Sequence, residues 1–402
     1  MVSASGGLKR RLGTGLLTLY GVGIMVGAGI YVLVGAVAGA AGALAPLVFV
    51  VAALVVLPTV LSYAELAGRF PESAGEAAYL DAAYGRAAWG RALAVGAGLA
   101  VAAVGVVSAA VVLQGGTGYL RALVDLPSGV LVVALGLALG AAAVIGVLES
   151  LTLAAIATVI EVCGLLIVGG AGMLGEAATV VAADVPEVTI GAMGGAVLLA
   201  FFAFVGFEDM VNMAEETRDP ARALPRAILG ALAITTALYA LVTLAALRVV
   251  PPADLAASPR PLALVFERAT GQGAGFLALI AVVAAMNGVL AQIVMAARVL
   301  YGLGRRTRAL AVFHAAHPRL GTPVLATGAA TVVVILLALT LPLVALAEAV
   351  ASVLLAVFVA VNLALIAIRR AGAGPARFTV PLAVPVAGAV LSALTLAWSL
   401  VA

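Results

Sequence analysis

The feature that most constrains this chain is a long apolar stretch interrupted by glycine near its centre, and it occurs twice. The first interruption is Gly27-Ala28-Gly29, and the second is Gly206 within the run 201–209. A backbone that crosses a bilayer must satisfy its own hydrogen bonds, because lipid offers no partners. Breaks are expected only where the freed groups line a cavity or meet a ligand. Two breaks at matching places predict a transporter with a binding site near the membrane midplane.

The composition places the whole chain in the membrane. Of the 402 residues, 65% are hydrophobic and only 10% are charged, which is typical of a polytopic membrane protein. An apolar run of about 20 residues crosses the hydrocarbon core of about 30 Å. The predicted spans are 14–38, 44–68, 90–118, 129–148, 151–173, 190–214, 223–249, 273–303, 323–342, 344–368 and 380–401.

The basic residues predict the orientation, because cytoplasmic connections carry an excess of Lys and Arg. If the N-terminus is cytoplasmic, the outside connections contain only Arg121, Arg248, Arg260 and Arg268, and every other Lys and Arg falls inside. With eleven spans the C-terminus is then predicted to lie outside.

The spans also predict an internal repeat. Residues 14–173 and 190–368 each contain five spans and each begin with an interrupted helix. Because five is an odd number, the second set is inverted relative to the first. We therefore predict an all-α polytopic membrane protein with a 5+5 inverted-repeat transporter fold, discontinuous helices 1 and 6, and one extra C-terminal helix at 380–401.

Four stretches of sequence, taken in order, resemble the amino acid–polyamine–organocation superfamily and its bacterial amino acid permeases. They are residues 21–31, 58–79, 201–228 and 298–305. The resemblance covers nearly the whole chain and implies the same repeat fold in a bacterial inner (plasma) membrane. The family usually has twelve helices, whereas this chain is predicted to have eleven, and the missing helix lies outside the repeated core.

The first break is the predicted carboxylate site. Gly27, Ala28, Gly29 and Ile30 would offer backbone N–H groups at the start of a half-helix, where partial positive charge suits an anion. In the family this segment holds the α-carboxylate of the substrate. The alternative is ordinary glycine in a membrane helix.

The second break is the predicted ammonium site. The carbonyl groups of Ala203, Phe204 and Val205 would face the cavity and accept hydrogen bonds from an ammonium group. Phe202 resembles the aromatic gate of the family. The alternative for Phe202 and its aromatic neighbours is a stripe of core residues.

Two carboxylates are candidates for ion coupling. Glu208, with Asp209, follows the second break, where a half-helix N-terminus favours a carboxylate on structural grounds alone; the alternative is proton binding during transport. Glu161 lies mid-span, where a charge costs roughly 2.5–3.5 kcal/mol. Many permeases of the superfamily carry a lysine near this position. Glu161 could bind a proton or metal ion, pair with Arg298 or a cationic substrate, or stay a neutral hydrogen-bonded side chain; proton coupling is favoured over sodium.

Other polar residues are weaker candidates. Ser108 and Asn287 lie in spans 3 and 8, which help line the family's pocket, and either substrate selection or helix packing explains them. His314 and His317 are too few for a metal site. No phosphate-binding loop, nucleotide motif or Ser/His/Asp set occurs on a connection. We expect no cofactor, no resident metal, no nucleic-acid partner and no enzymatic activity.

The sequence thus predicts a secondary transporter that takes up amino acids by alternating access. Helices 1, 2, 6 and 7 would rock against helices 3, 4, 8 and 9. A small neutral substrate is favoured, while Glu161 leaves cationic amino acids or polyamines, an exchanger, and sodium coupling open. A nutrient receptor that binds without transporting is the alternative from another class.

Overall fold

The computed structural model describes residues 12–71, 75–146, 151–176, 190–374 and 376–401, and their secondary structure is helical apart from an isolated β-bridge between Leu12 and Thr217. The α-helices in these ranges are α1 (Thr14–Ala28), α2 (Ile30–Ala41), α3 (Ala45–Arg69), α4 (Gly75–Tyr84), α5 (Ala88–Leu120), α6 (Ser128–Ile145), α7 (Leu151–Leu174), α8 (Ile190–Phe202), α9 (Pro220–Val249), α10 (Pro252–Ala257), α11 (Pro261–Thr270), α12 (Gly275–Arg306), α13 (Val324–Thr340), α14 (Leu343–Arg370) and α15 (Ala383–Val401). Short 3-10 helices occur at Gly42–Leu44, Glu208–Glu216 and Arg308–Phe313.

Within the described residues, 7 helical stretches are long and apolar enough to cross a membrane. The first of them, Ile30–Arg69, joins α2 to α3 and turns at Gly42, whose φ of 55° favours glycine. The remaining predicted spans coincide with apolar helices of 10–17 residues. Two of these are short because the helix stops at an interruption, after Ala28 and after Phe202. The inverted relation between residues 14–173 and 190–368, with 380–401 as an added helix, stays a prediction.

Large apolar side chains cover the outside of the helices as well as the core. Leu54, Leu137, Leu279 and Leu394, on four different helices, are each more than half exposed. A soluble monomer rarely exposes so much apolar surface, whereas hydrocarbon around the helices accommodates it. Because the helices are apolar on all sides, the sequence predicts that they span a membrane.

The connections contain helices that the span count leaves out. Proline begins α10 and α11, at the first-turn position where its missing N–H costs nothing. The connection packs tightly on α2, because a Cβ at Gly39 would lie 2.6 Å from the Cβ of Ala256. Helix α10 therefore packs against the second half of the interrupted first helix.

A polar seam joins α3 to α14. Asn362 on α14 accepts a hydrogen bond from Ser62 at 2.7 Å and donates one to Thr59 at 2.9 Å. Further along the same pair of helices, the buried Glu65 carboxylate is held by both Arg69 and Arg369. Paired buried charges are costly to break because the remaining charge loses its partner. The seam therefore fixes the register of the two helices.

Candidate functional site

The first interruption lies where the sequence predicts it. α1 ends at Ala28, Gly29 adopts φ −120° and ψ −61°, and α2 starts at Ile30. The carbonyl of Gly29 accepts the first hydrogen bond of α2, from Leu33 N at 2.8 Å. The first N–H groups of a helix have no carbonyl partner within that helix, so the start of α2 offers donors and partial positive charge. The chemistry available here is anion binding.

The second interruption is longer. α8 ends at Phe202, residues 203–207 form turns, and the 3-10 helix Glu208–Glu216 follows. Gly206 has φ 121°, a conformation that side chains rarely adopt. Its N–H donates to Glu208 Oε2 at 2.9 Å. The Glu208 carboxylate therefore satisfies a backbone donor of the turn that precedes the 3-10 helix, and its role in ion coupling stays a prediction.

The two interruptions lie against each other. A Cβ at Gly29 would overlap the Cα and Cβ of Ala203, and one at Gly206 would overlap the Ile24 side chain. Only glycine at these two positions allows the two segments to come this close. The predicted site residues Ile30, Ala203, Phe204 and Val205 are all buried at this junction. The predicted carboxylate and ammonium ends of the site are therefore neighbours.

Tyr239 on α9 bridges the junction, a role that the sequence did not reveal. Its hydroxyl lies 2.8 Å from the carbonyl oxygens of both Met25 and Ala203. Phe49 and Phe204 pack against its ring, with centroids 5.4 and 5.2 Å away. One hydroxyl proton is donated to one carbonyl at a time, so this pair of carbonyls has spare capacity to accept hydrogen bonds. A tyrosine inside an apolar span was the available sequence signal.

Glu161 on α7 faces the first interruption. The residue is 0% exposed, and neither carboxyl oxygen has a hydrogen-bond partner. Its Oε2 would lie 3.7 Å from a Cβ at Gly27, and the Ala284 carbonyl oxygen on α12 would lie 3.3 Å from the same point. Arg298 is exposed, so the ion pair considered for Glu161 is not formed. The hydrogen-bonded neutral glutamate is not observed either.

Helix α7 is tied to the first interruption through its backbone. Tyr31, on the first turn of α2, donates from its hydroxyl to the Glu161 carbonyl at 2.9 Å. Tyr119 on α5 donates to the Tyr31 carbonyl at 2.8 Å. These two bonds link α2 to α7 and to α5.

The remaining predicted residues differ in their surroundings. Phe202, the predicted gate, is fully buried at the end of α8. Ser108 is also fully buried, and its hydroxyl has no hydrogen-bond partner. Asn287 is half-buried, one position before Gly288, whose Cβ would lie 3.6 Å from the Gly27 carbonyl oxygen. The structure describes the backbone of Ala28, and its side chain falls outside the description.

A second polar pair near the junction was also missed. Gln292 on α12 donates to Asp209 Oδ2 at 3.2 Å, and both side chains are buried. The sequence signal was the same as for Asn287, namely an amide side chain in an apolar run. Among the described residues, no group of three His, Cys, Asp or Glu side chains could hold a metal ion.

Apolar helices of spanning length define an integral membrane protein, and interrupted helices that meet near its centre are typical of small-molecule transporters. The sequence match is more specific. The family model "Amino acid permease" matches residues 12–402, so this chain belongs to the amino acid permease family. The resemblance seen in the sequence is thereby confirmed.

Curated relatives support the same assignment. The chain is 31% identical over 399 residues to the branched-chain amino acid permease BcaP of Bacillus subtilis, which covers 92% of this chain and 84% of that protein. It is 32% identical over 328 residues to an uncharacterized transporter of Mycobacterium tuberculosis, covering 79% and 70% of the two chains. It is 30% identical over 397 residues to cationic amino acid transporter 4 of Mus musculus, covering 90% and 61%. The chain is therefore a transporter whose substrates are amino acids.

Proposed function

We propose that this permease is a secondary active transporter that couples amino acid uptake to protons, with the substrate held where the two interruptions meet. The proposal includes the 5+5 inverted repeat and its alternating access in the plasma membrane, with a cytoplasmic N-terminus and an outside C-terminus. The observation that carries it is Glu161, a buried carboxyl without a partner beside Gly27.

Backbone groups at the two interruptions support the proposed substrate site. Residues Gly27 to Ile30 present the start of α2 to the carboxylate, and a helix N-terminus favours negative charge. The carbonyl groups of Ala203 to Val205 accept from the ammonium group. Only Gly29 separates α1 from α2, whereas residues 203–207 are non-helical, so the two interruptions present different backbone groups. One supplies donors and the other supplies acceptors, which suits a zwitterion.

The charge on Glu161 supports the proposed proton coupling. An ionised carboxylate with no partner in a membrane interior is costly, so it binds a cation or takes up a proton. A proton needs only the carboxyl itself, whereas sodium needs several oxygen ligands around it. The Ala284 carbonyl is the oxygen that the structure brings nearest to the same Gly27 position. Proton coupling therefore requires the fewest additional groups, and sodium coupling is the alternative outcome of the test.

The surroundings favour a neutral, apolar side chain on the substrate. Phe202, Phe204, Val205 and Ile30 are among the buried side chains around the junction. BcaP, the relative named above, is named for branched-chain amino acids, and this lining suits them. We therefore place neutral amino acids first and branched-chain ones among them.

A second candidate function is transport or exchange of cationic amino acids or amines. The negative charge of Glu161 would attract a cationic substrate, and the mouse relative is named for cationic amino acids. Competition of labelled valine uptake by arginine, lysine and putrescine separates the two candidates. Counterflow exchange of labelled substrate across the vesicle membrane excludes a receptor that binds without transporting.

The test of coupling is uptake into proteoliposomes under an imposed pH gradient, with and without sodium. We expect a gradient that is acidic outside to stimulate uptake by the native protein. We expect Glu161→Gln, which keeps the shape but loses the titrating group, to abolish this stimulation while counterflow continues. Glu267→Gln, in the half-buried pair with Arg260, is the matched control and should respond like the native protein. Stimulation that persists in Glu161→Gln would overturn the coupling assignment.

A further inference from the structure

Asp209 and Gln292 are joined by a hydrogen bond between helices on opposite sides of the predicted moving boundary. Asp209 belongs to the 3-10 helix after the second interruption, and Gln292 belongs to α12. Gln292 Nε2 donates to Asp209 Oδ2 over 3.2 Å, and the residues are 3% and 6% exposed. We propose that this bond is a latch that keeps the transport path closed on the side of the membrane where α12 ends. The proposal rests on the proposed function.

The position of the bond separates it from the substrate site. On α12, Gly288 lies at the level of the first interruption, since its Cβ would be 3.6 Å from the Gly27 carbonyl oxygen. Gln292 lies one helical turn further toward the end of α12 at Arg306. The bond therefore lies beyond the junction, in the layer that must part for a substrate to leave on that side.

Helix α5 provides the space for this arrangement. A Cβ at Gly105 would lie 3.2 Å from Gln292 Oε1 and 2.8 Å from the Met295 methyl group. A Cβ at position 105 would crowd the Met295 side chain and the amide oxygen of Gln292. Because the Asp209 carboxylate needs a donor, the amide nitrogen of Gln292 points to it and the amide oxygen points toward α5.

The same layer contains groups that favour opening. Gln292 Oε1 and Ser108 Oγ are buried without a hydrogen-bond partner. Once the helices part, water would satisfy both atoms, which favours the open state. A hydrogen bond to a carboxylate such as that of Asp209 favours the closed state by roughly 10- to 150-fold. The closed state thus gains from one bond and loses from two orphaned oxygens. Such near balance suits an element that opens in every cycle.

The carboxylate of Asp209 has other acidic neighbours. Glu208 precedes it and is engaged with Gly206 N, and Glu76 on α4 accepts from the Tyr63 hydroxyl at 3.0 Å. The donors for these two carboxylates are therefore different from the donor for Asp209. Replacing Gln292 changes the donor to Asp209 and leaves the other two bonds intact.

The test measures how often the closed layer opens. Ala296 is fully buried, one turn beyond Gln292 on the same side of α12, and serves as a reporter as Ala296→Cys. The native Cys163 is exposed and is replaced by Ser. A membrane-impermeant maleimide is added to either side of oriented vesicles without substrate or gradient. We expect Gln292→Leu to increase the labelling rate of Ala296→Cys at least about tenfold, and only from the side on which α12 ends.

Matched variants keep the result interpretable. Gln114→Leu removes a glutamine on α5 that bonds to the Ala338 and Leu341 carbonyls of the neighbouring α13 end, and should leave the labelling rate unchanged. Asp209→Asn keeps a neutral hydrogen bond to Gln292 and should give an intermediate labelling rate. This variant is used for the test if Gln292→Leu does not fold. Unchanged labelling in both variants, or equal gains from both sides, would overturn the latch. Labelling needs no proton gradient. The labelling result can therefore be interpreted even if the uptake assay shows no proton coupling.

Discussion

Replacing Tyr239 with Phe removes one oxygen atom at the place where the two interrupted helices meet. The hydroxyl lies 2.8 Å from the carbonyl oxygens of Met25 and Ala203, one on each interrupted segment. The ring remains between Phe49 and Phe204, so the substitution leaves no cavity larger than the lost oxygen. The change therefore isolates the hydrogen bonds from the packing.

The expected magnitude follows from the number of protons available. The hydroxyl donates one proton, so one strong hydrogen bond is lost and the two carbonyls are left without this donor. Leaving a buried acceptor unsatisfied costs about 1–3 kcal/mol. We expect Tyr239→Phe to lower the free energy of unfolding by that amount and to weaken transport, because the spacing of the two segments is no longer fixed.

Chemical unfolding of the purified protein in detergent, compared with the native chain, measures the loss. Tyr84→Phe, a half-buried tyrosine on α4, is the matched control and should change stability by less than about 0.5 kcal/mol. If Tyr239→Phe unfolds at the same denaturant concentration as Tyr84→Phe, the hydroxyl does not hold the two segments together and the reasoning is refuted.

Three further substitutions test other parts of the structure. Gly29→Ala places a Cβ in the backbone of Ala203; we expect a stability loss of about 1–3 kcal/mol and loss of substrate binding. Arg369→Leu removes one of the two cations on buried Glu65 and should cost at least about 2 kcal/mol in unfolding free energy. Burial raises the pKa of the Glu76 carboxyl, so native protein binds its proton more tightly than unfolded protein. Glu76 therefore makes its full contribution to stability at pH values below its pKa in the unfolded chain. This contribution is lost as the pH rises through its pKa in the folded protein. In Glu76→Gln, the free energy of unfolding should fall less steeply over that pH range.

Each of these has its own check. Gly13→Ala, at a glycine with nothing within 4 Å of its Cβ position, should leave stability and binding unchanged. Equal losses in Gly13→Ala and Gly29→Ala would contradict the close approach of the segments. Unfolding of Arg369→Leu like the native protein would show that Arg69 alone satisfies Glu65. A Glu76→Gln protein whose unfolding keeps the native pH dependence would show that another group titrates.

Much of the architecture was predictable because it follows from hydropathy. Runs of about 20 apolar residues must cross the bilayer as helices, so the existence of the spans follows from composition and length. The short helices α10 and α11 were not predicted, although proline marks the start of each. Their docking on α2 depends on tertiary contacts such as Ala256 against Gly39, which one sequence does not reveal.

The site was predictable only in part. Glycine at 27, 29 and 206 signals a backbone that departs from helix, and the structure has such departures at Gly29 and Gly206. The roles of the predicted site residues in binding and coupling remain predictions. Tyr239 and Gln292 were missed because their importance lies in which atoms they reach across helices. Hydrophobic periodicity locates a helix but does not say which polar side chain faces the junction.

The most direct test of the account measures which half of an amino acid the junction requires. Thermal unfolding of the purified protein is followed with valine, with isobutylamine, which lacks the carboxylate, and with isovalerate, which lacks the ammonium group; arginine and agmatine form a second set. A ligand that binds only the native state raises the unfolding temperature. We predict that an intact amino acid stabilises the protein and that its one-ended analogues do not. Equal stabilisation by an amine or an acid alone would contradict a zwitterion held between the two interrupted helices.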